Sequence, residues 1–96
     1  MNINVIDYTG EFAENKDTAA KLREEHIRGA ISQGEAVTID FAGVELSTQS
    51  FLHALISDVV RKQGEDVLDM IIFKNCSPLL KELIETVVQY SLESAE

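Results

Sequence analysis

The chain has 96 residues, 17 of them acidic and 8 basic, and carries a net charge of −9 at neutral pH. A chain of this length forms one domain, here residues 1–96, and lacks the volume for a deep enclosed active site. The bases are scattered along the sequence without interleaved aromatic residues, so the acidic balance disfavours direct binding to nucleic acid.

The composition is that of a folded globular domain. Hydrophobic residues make up 45% of the chain and charged residues 26%, which disfavours disorder except in the tail at residues 92–96. Cys76 is the only cysteine, so an internal disulfide is excluded. The first residues carry no positive charge and no apolar stretch approaches the length of a bilayer, so we expect a cytoplasmic protein without a membrane segment.

Two short strands are predicted at the start of the chain. Ile3 and Val5 alternate with polar residues, and a turn at residues 8–10 leads to a very short strand at residues 11–13. A tight turn between neighbouring strands gives antiparallel pairing, so a hairpin is expected here.

The first long helix is predicted from residue 17 or 18 to residue 33. Asp17 or Thr18 is the expected N-cap, and Gly34 is expected to end the helix. At about 100° per residue the apolar side chains share one arc. The arc comprises Ala19, Ala20, Leu22, Ile27, Ala30 and Ile31.

A strand and a second helix follow. The near-continuous apolar run at residues 36–41 predicts a central strand that is covered on both faces. A helix is predicted from about residue 48 to residue 63 and is ended by Gly64. Its apolar face comprises Phe51, Leu52, Leu55, Ile56, Val59 and Val60.

The last strand and helix complete the pattern. Residues 70–74 predict a buried strand, and Ser77 as N-cap with Pro78 as first residue predicts a helix to about residue 92. Its apolar face comprises Leu79, Leu80, Leu83, Ile84, Val87 and Val88. Alternating strands and helices give parallel pairing with right-handed crossovers. The predicted fold is therefore α/β, with a small, mixed, mainly parallel four-stranded sheet and three packed helices.

The most informative stretch is IDFAGVELSTQSFLHAL, at residues 39–55. Asp40 and Gly43 follow the strand, and a hydroxyl-rich loop leads to Ser50 and Phe51 at the start of the helix. This pattern resembles the STAS-like family of unknown function, a relative of the anti-sigma-factor antagonists. The resemblance implies a STAS-like fold over the whole chain.

The start of this helix is a candidate phosphorylation site. Free backbone N–H groups and the positive end of the helix dipole favour added negative charge there. The helical wheel places Ser50 opposite the apolar face, Thr48 on the inner side and Ser47 at the N-cap. In anti-sigma-factor antagonists a partner kinase, which is also the sigma-factor inhibitor, phosphorylates a serine at this helix start. The resemblance carries that role to Ser50, with Thr48 and Ser47 as secondary candidates. The chain lacks the acidic residue and the glycine that flank the family's hydroxyl pair, and helix capping is the alternative interpretation of the cluster.

A partner surface is predicted around these hydroxyls. The resemblance implies a protein partner, namely a histidine-kinase-like ATPase that acts as serine kinase or anti-sigma factor. The residues expected to contact it are Asp40, Gly43, Val44, Glu45, Ser47, Gln49, Ser50 and His53. A phosphate on Ser50 adds about −1.5 to −2 charges beside Glu45 and Asp58, so repulsion is expected to weaken an interface with an acidic partner.

Other polar residues are assigned structural roles. Asp40 is expected to brace the loop after its strand, with metal coordination as the alternative, and Gly43 is expected to have a positive φ. His26 and His53 have no companion at metal-ligand spacing, so no metal site is predicted. Arg23 falls within the apolar arc of its helix and is expected to reach outward or to pair with a carboxylate.

The sequence thus predicts a non-enzymatic interaction module that needs no cofactor, docks its partner through residues 44–53 and is switched at Ser50. A second hypothesis is a sensor that binds a nucleotide or small metabolite at residues 40–43 and 75–77. A third is a small thiol enzyme based on Cys76, because a position before a helix N-terminus favours the thiolate.

Overall fold

The computed structural model describes residues 1–93 and contains, within them, five strands and four helices. The strands are β1 (Asn2–Asn4), β2 (Phe12–Ala13), β3 (Val37–Asp40), β4 (Leu46–Ser47) and β5 (Ile71–Lys74). The helices are α1 (Ile6–Thr9), α2 (residues 16–32), α3 (residues 49–63) and α4 (Pro78–Glu93), and a 3₁₀ helix at Gly64–Asp69 joins α3 to β5. The sequence predicts disorder at residues 92–96, but Leu92 and Glu93 belong to α4, so this prediction is wrong for these two residues. Residues 94–96 lie outside the described part of the chain.

The strands form two parallel sheets instead of one mixed sheet. In the first, β3 lies between β1 and β5, with Ile39 opposite Ile3 on one side and opposite Phe73 on the other. In the second, β2 pairs with β4, and Phe12 lies opposite Leu46. The prediction of an α/β fold with mainly parallel pairing is confirmed, whereas the four-stranded sheet and the count of three helices are wrong.

The predicted antiparallel hairpin is wrong because the chain leaves β1 through a helical turn. The carbonyl of Val5 accepts hydrogen bonds from the backbone N–H groups of Tyr8 and Thr9, and the hydroxyl of Thr9 donates to the same carbonyl at 3.2 Å. These bonds form α1, and Gly10 follows it with φ +71°. The chain then continues away from β1, so β2 pairs with the distant β4.

The core confirms the helical periodicity of the sequence. All six residues predicted for the apolar face of α3 are buried, as are those of α2 except the half-buried Ala20. In α4 the side chain of Leu79 is 54% exposed, because the buried stripe of that helix is narrower than predicted. The stripe comprises Leu80, Ile84, Val87 and Ser91.

The helix ends are capped largely as the sequence indicates. Ser77 Oγ accepts the backbone N–H of Leu80 at 3.2 Å, which confirms Ser77 as the N-cap of α4. Gly34 has φ +77° and ends α2. The N-cap of α2 is Asn15, not Asp17 or Thr18, since Asn15 Oδ1 accepts the N–H groups of both residues at 2.8 and 3.2 Å. The helix therefore starts at residue 16, one or two residues earlier than predicted.

Helices α2 and α3 pack side by side in parallel. Each contains one widened π turn near its middle, at Arg23–Ile27 in α2 and at His53–Ser57 in α3. Arg23 Nη1 donates to the carbonyl of Ala54 inside the second π turn at 2.7 Å, and Arg28 pairs with Asp58 one turn further along both helices. The two helices thus begin at the same end of the domain. None of the helices in residues 1–93 is both long enough and apolar enough to cross a membrane.

Candidate functional site

Of the three hydroxyls at the start of α3, only that of Ser50 has no hydrogen-bond partner in the described residues, and Thr48 is exposed, so its predicted inner position is wrong. Thr48 is the N-cap, and its hydroxyl accepts the backbone N–H of Phe51 at 3.0 Å. Ser47 belongs to β4, and its hydroxyl donates to the carbonyl of Thr48 at 3.2 Å. The prediction of Ser47 as N-cap is wrong because pairing with β2 keeps the chain extended for one more residue. Ser50 is exposed, and its hydroxyl has no hydrogen-bond partner within residues 1–93.

Asp40 braces two loops at the end of the first sheet. Its Oδ1 accepts the backbone N–H of Ala42 at 2.9 Å and the side-chain amide of Asn75 at 3.0 Å. The bond from Asn75, the bond from Ala42 and the charge of Lys74 lower the pKa of Asp40 below its usual value. The loop-bracing role is confirmed, and it extends to the loop between β5 and α4.

Gly43 and Val44 form the inner part of the loop between β3 and β4. Gly43 has the predicted positive φ, at +82°, and a Cβ at this position would lie 2.5 Å from Cδ1 of Ile6. The N–H of Val44 donates to the carbonyl of Phe41 at 2.9 Å, and this tight turn directs Val44 into the core, where it is only 5% exposed. Val44 is therefore not a surface residue, contrary to its predicted place in the partner surface.

The remaining predicted contact residues divide into two groups. Gln49 and Ser50 are exposed on the first turn of α3, and His53 lies one turn later, half-buried, with its ring edge-on to Tyr90 at a centroid distance of 5.4 Å. Glu45 is exposed in the preceding loop, where its N–H donates to the carbonyl of Glu11 at 2.8 Å. The exposed polar residues of the predicted partner surface therefore lie at and just before the start of α3. Asp40 lies apart from them and is hydrogen-bonded to Asn75.

An exposed apolar pair beside this helix start is missing from the sequence-based prediction. Phe12 and Leu46 lie opposite each other in the β2–β4 ladder and are 51% and 50% exposed. They line a shallow groove with Ala13, Glu14, Ser47 and Thr48. The alternation of exposed Phe12 with buried Ala13 was available as a signal, but its partner strand β4 is too short to predict.

The second feature missed from the sequence is a cationic groove between α2 and α3. This open groove, of about 510 Å³, is lined by Lys16, Arg23, Ser50, His53, Ala54, Ser57, Asp58 and Arg61. Arg28 and Lys62 adjoin it through their ion pairs with Asp58. The basic residues are scattered along the sequence, but the parallel packing of α2 and α3 brings five of them to one surface. The prediction that basic residues are not gathered on one side of the domain is therefore wrong.

The carboxylates at this groove are already matched by cations. Glu24 accepts hydrogen bonds from Arg23 at 2.8 Å and from Arg28 at 2.9 Å, and both bonds lower the pKa of Glu24. The bond from Arg28, followed by the charge of Lys62, lowers the pKa of Asp58. The expected pairing of Arg23 with a carboxylate is confirmed.

Two cations of the groove stay unmatched. Lys16 and Arg61 form no ion pair with any residue between 1 and 93. The groove therefore has a positive excess on a chain whose net charge is −9.

Cys76 lacks the features of an activated thiol. Burial, and then the negative charge of Asp40, raise the pKa of its half-buried side chain. These two effects oppose the stabilisation of the thiolate that was expected from the following helix. The two histidine rings lie against tyrosines, His26 at 6.1 Å from Tyr8 and His53 beside Tyr90. Across residues 1–93 no group of three or more His, Cys, Asp or Glu side chains is placed to hold a metal ion.

The sequence was compared with models of known protein families. The family model of STAS-like domains of unknown function matches residues 18–81, two thirds of the chain. The chain belongs to the STAS-like family. The match runs from α2 to the start of α4 and includes the loop and helix start at residues 39–55. No curated protein and no solved structure matches this STAS-like domain significantly. Of the surface described above, Ser50 and Arg23 lie inside the matched range of the STAS-like domain, whereas Phe12 and Lys16 precede it.

Proposed function

We propose that this STAS-like domain is a non-enzymatic interaction module that docks a protein partner at the start of α3 and is switched by phosphorylation of Ser50. The observation that carries the proposal is the exposed, unpartnered hydroxyl of Ser50 on a well-capped helix, next to the exposed pair Phe12 and Leu46. A kinase can reach an exposed hydroxyl, and an exposed apolar pair can be buried against a protein partner.

The apolar pair supplies the adhesive part of the docking surface. Exposed aromatic and aliphatic side chains that become buried at an interface act as anchors, and polar residues around them set the specificity. Phe12 and Leu46 are each half-exposed, so completing their burial contributes about 1 kcal/mol apiece to binding. Glu45, Gln49 and Ser50 form the polar rim of this surface.

Ser50 is favoured over the other two hydroxyls as the phosphoacceptor. Modification of Thr48 would remove the N-cap of α3, at a cost of about 1 kcal/mol, and Ser47 is half-buried in β4. At Ser50 the reaction is transfer of the γ-phosphoryl group of ATP. The Oγ–P bond forms, the bond from the γ-phosphorus to the bridging oxygen breaks, ADP leaves and a base of the kinase accepts the hydroxyl proton.

The partner class rests on the relation of STAS-like domains to anti-sigma-factor antagonists. We infer a histidine-kinase-like ATPase that serves as serine kinase or anti-sigma factor, with an acidic docking surface. The phosphate weakens that interface by charge. The cause differs in part from the sequence-based expectation, because Asp58 is neutralised by Arg28 and Lys62 and the phosphate acts mainly by cancelling the positive excess of the groove.

A pull-down from the native cells tests the proposal. Tagged domain expressed at its endogenous level is captured, and the co-purifying proteins and the mass of residues 33–62 are determined. We expect one stoichiometric ATPase with wild type and Ser50→Ala, and a reduced yield of it with Ser50→Glu and with Leu46→Ser, since loss of about 1 kcal/mol weakens binding roughly fivefold. Leu79→Ser is the matched control, since Leu79 is also an exposed leucine (54%) but lies on α4.

Two results would contradict the docking module. One is the absence of any stoichiometric partner, and the other is a partner recovered in equal yield with Leu46→Ser and with Leu79→Ser. The sensor hypothesis has less support, because Asp40 and Asn75, the polar groups at the strand ends, already bond to each other. A ligand-dependent rise in melting temperature without any protein partner would favour it.

A further inference from the structure

The N-terminal half of the α2–α3 groove brings cationic side chains to the level of Ser50. The backbone N–H of Thr48 donates to the carbonyl of Ala13 at 3.0 Å, so the two segments that lead into α3 and α2 are in contact. Lys16 is the first residue of α2, and Ser50 is the second of α3. Both line the same groove.

Two further groups of this half approach from either helix. Arg23 reaches across from α2 to the carbonyl of Ala54, four residues after Ser50. His53 follows Ser50 by three residues, which places both on one side of α3 with Cβ atoms about 5–6 Å apart. Ser50 thus shares this groove with a lysine, an arginine and a histidine from two helices.

These groups have capacity for an added anion. Lys16 has no ion pair within the described range, and Glu24, which accepts from Arg23, is shared with Arg28. The first turns of α2 and α3 also direct their positive dipole ends to this end of the groove, although Asn15 and Thr48 already accept N–H groups of these turns. The acidic side chain of the groove lining, Asp58, lies eight residues after Ser50, about 12 Å further along the helix axis.

We propose that this half of the groove is the seat of the phosphate carried by Ser50, with Lys16 as its principal ion-pair partner and Arg23 and His53 beside it. The inference rests on the proposed function in naming Ser50 as the modified residue. The phosphate then lies against its own domain instead of projecting toward the partner, and its charge removes the positive excess of the groove. Phosphorylation of Ser50 would thereby change the charge of the whole groove and not only of one side chain.

The test is a ³¹P NMR titration of the full chain with phosphoserine installed at position 50 during synthesis, which needs no kinase. Free phosphoserine has a second pKa of about 6. A cation within reach lowers the pKa of an acidic group, and exposure to solvent and salt reduces the effect. We expect the phosphoserine pKa to be about 0.5–1 unit lower in the folded chain than in a phosphorylated peptide of residues 46–54.

Three lysine and arginine variants locate the cause. Lys16→Ala should return most of the shift. Lys21→Ala is the matched control, because Lys21 lies on the same helix but lines a different groove, with Tyr8 and His26. Arg61→Ala should have a small effect, since Arg61 is eleven residues after Ser50, roughly 16 Å along the axis. At 1 M salt, where the screening length is about 3 Å, the shift should largely vanish.

Two outcomes would overturn the seat. A pKa equal to that of the peptide means that the phosphate projects into solvent. A lowered pKa that Lys16→Ala leaves unchanged means that Lys16 is not the ion-pair partner of the phosphate. Neither outcome affects the docking experiment with the unmodified chain, and failure to find a partner leaves this titration valid, so the two proposals fail separately.

Discussion

Replacement of Gly43 by alanine should destabilise the domain by about 2–3 kcal/mol. The backbone has φ +82° at this residue, and an L-residue in that conformation costs about 1–2 kcal/mol. The new Cβ would lie 2.5 Å from Cδ1 of Ile6, far inside the carbon–carbon contact distance of about 3.5 Å. Ile6 therefore has to leave its rotamer, which adds about 0.5–1.5 kcal/mol.

Thermal unfolding followed by circular dichroism measures this loss. For a domain of this size the melting temperature should fall by roughly 10–20 °C. Gly29→Ala is the matched control with the opposite sign, because Gly29 lies within α2 with open space around it, and alanine there should stabilise by about 0.5–1 kcal/mol. A Gly43→Ala variant that melts with wild type would refute both the strain and the contact with Ile6.

Three further changes probe a helix cap, a loop-bracing carboxylate and a buried hydroxyl pair. Thr48→Ala removes the N-cap of α3 and should cost about 1 kcal/mol in urea unfolding, whereas Ser47→Ala should be nearly neutral; equal effects would contradict the assignment of the cap. Asp40 has a lowered folded-state pKa, so its contribution is present above the unfolded pKa of about 3.9 and is lost as pH falls through the lower folded value. The melting temperatures of wild type and Asp40→Ala should therefore differ at pH 7 and converge near pH 2, and a constant difference would exclude the carboxylate as the cause. Ser91 Oγ bonds to Ser57 Oγ at 2.9 Å in the buried contact between α3 and α4; Ser91→Ala should cost about 1–3 kcal/mol, less than additively with Ser57→Ala, and additive losses would show that the hydroxyls act independently.

The helices could be predicted well from local sequence, because the spacing of apolar residues within each helix shows which of its faces is buried. The six apolar residues of α3 recur at helical spacing and are all buried, and the same spacing placed Ser50 on the exposed side. The errors at the helix starts are of one or two residues. They arise because neighbouring residues such as Asn15, Asp17 and Thr18 are all good N-caps, and only the path of the preceding chain selects among them.

Distant pairing explains what the sequence did not predict. The two-residue strand β4 has too little pattern of its own, and its partner β2 lies more than thirty residues earlier, with Phe12 opposite Leu46. The cationic groove has the same origin, since Lys16 and Ser50 become neighbours only through the parallel packing of α2 on α3. The candidate phosphoacceptor was predictable from one helix, but the charge and apolar surface around it depend on two.

Thr48 joins these two levels of structure. Its backbone N–H belongs to the β2–β4 ladder through Ala13, and its hydroxyl belongs to α3 through Phe51. The orientation of the first turn of α3 therefore depends on β2, which precedes α2 in the chain. A change in the approach to β2, for example at Gly10, would alter the orientation of Ser50 without contacting it, so the first residues of the chain help to set the direction of the candidate phosphoacceptor.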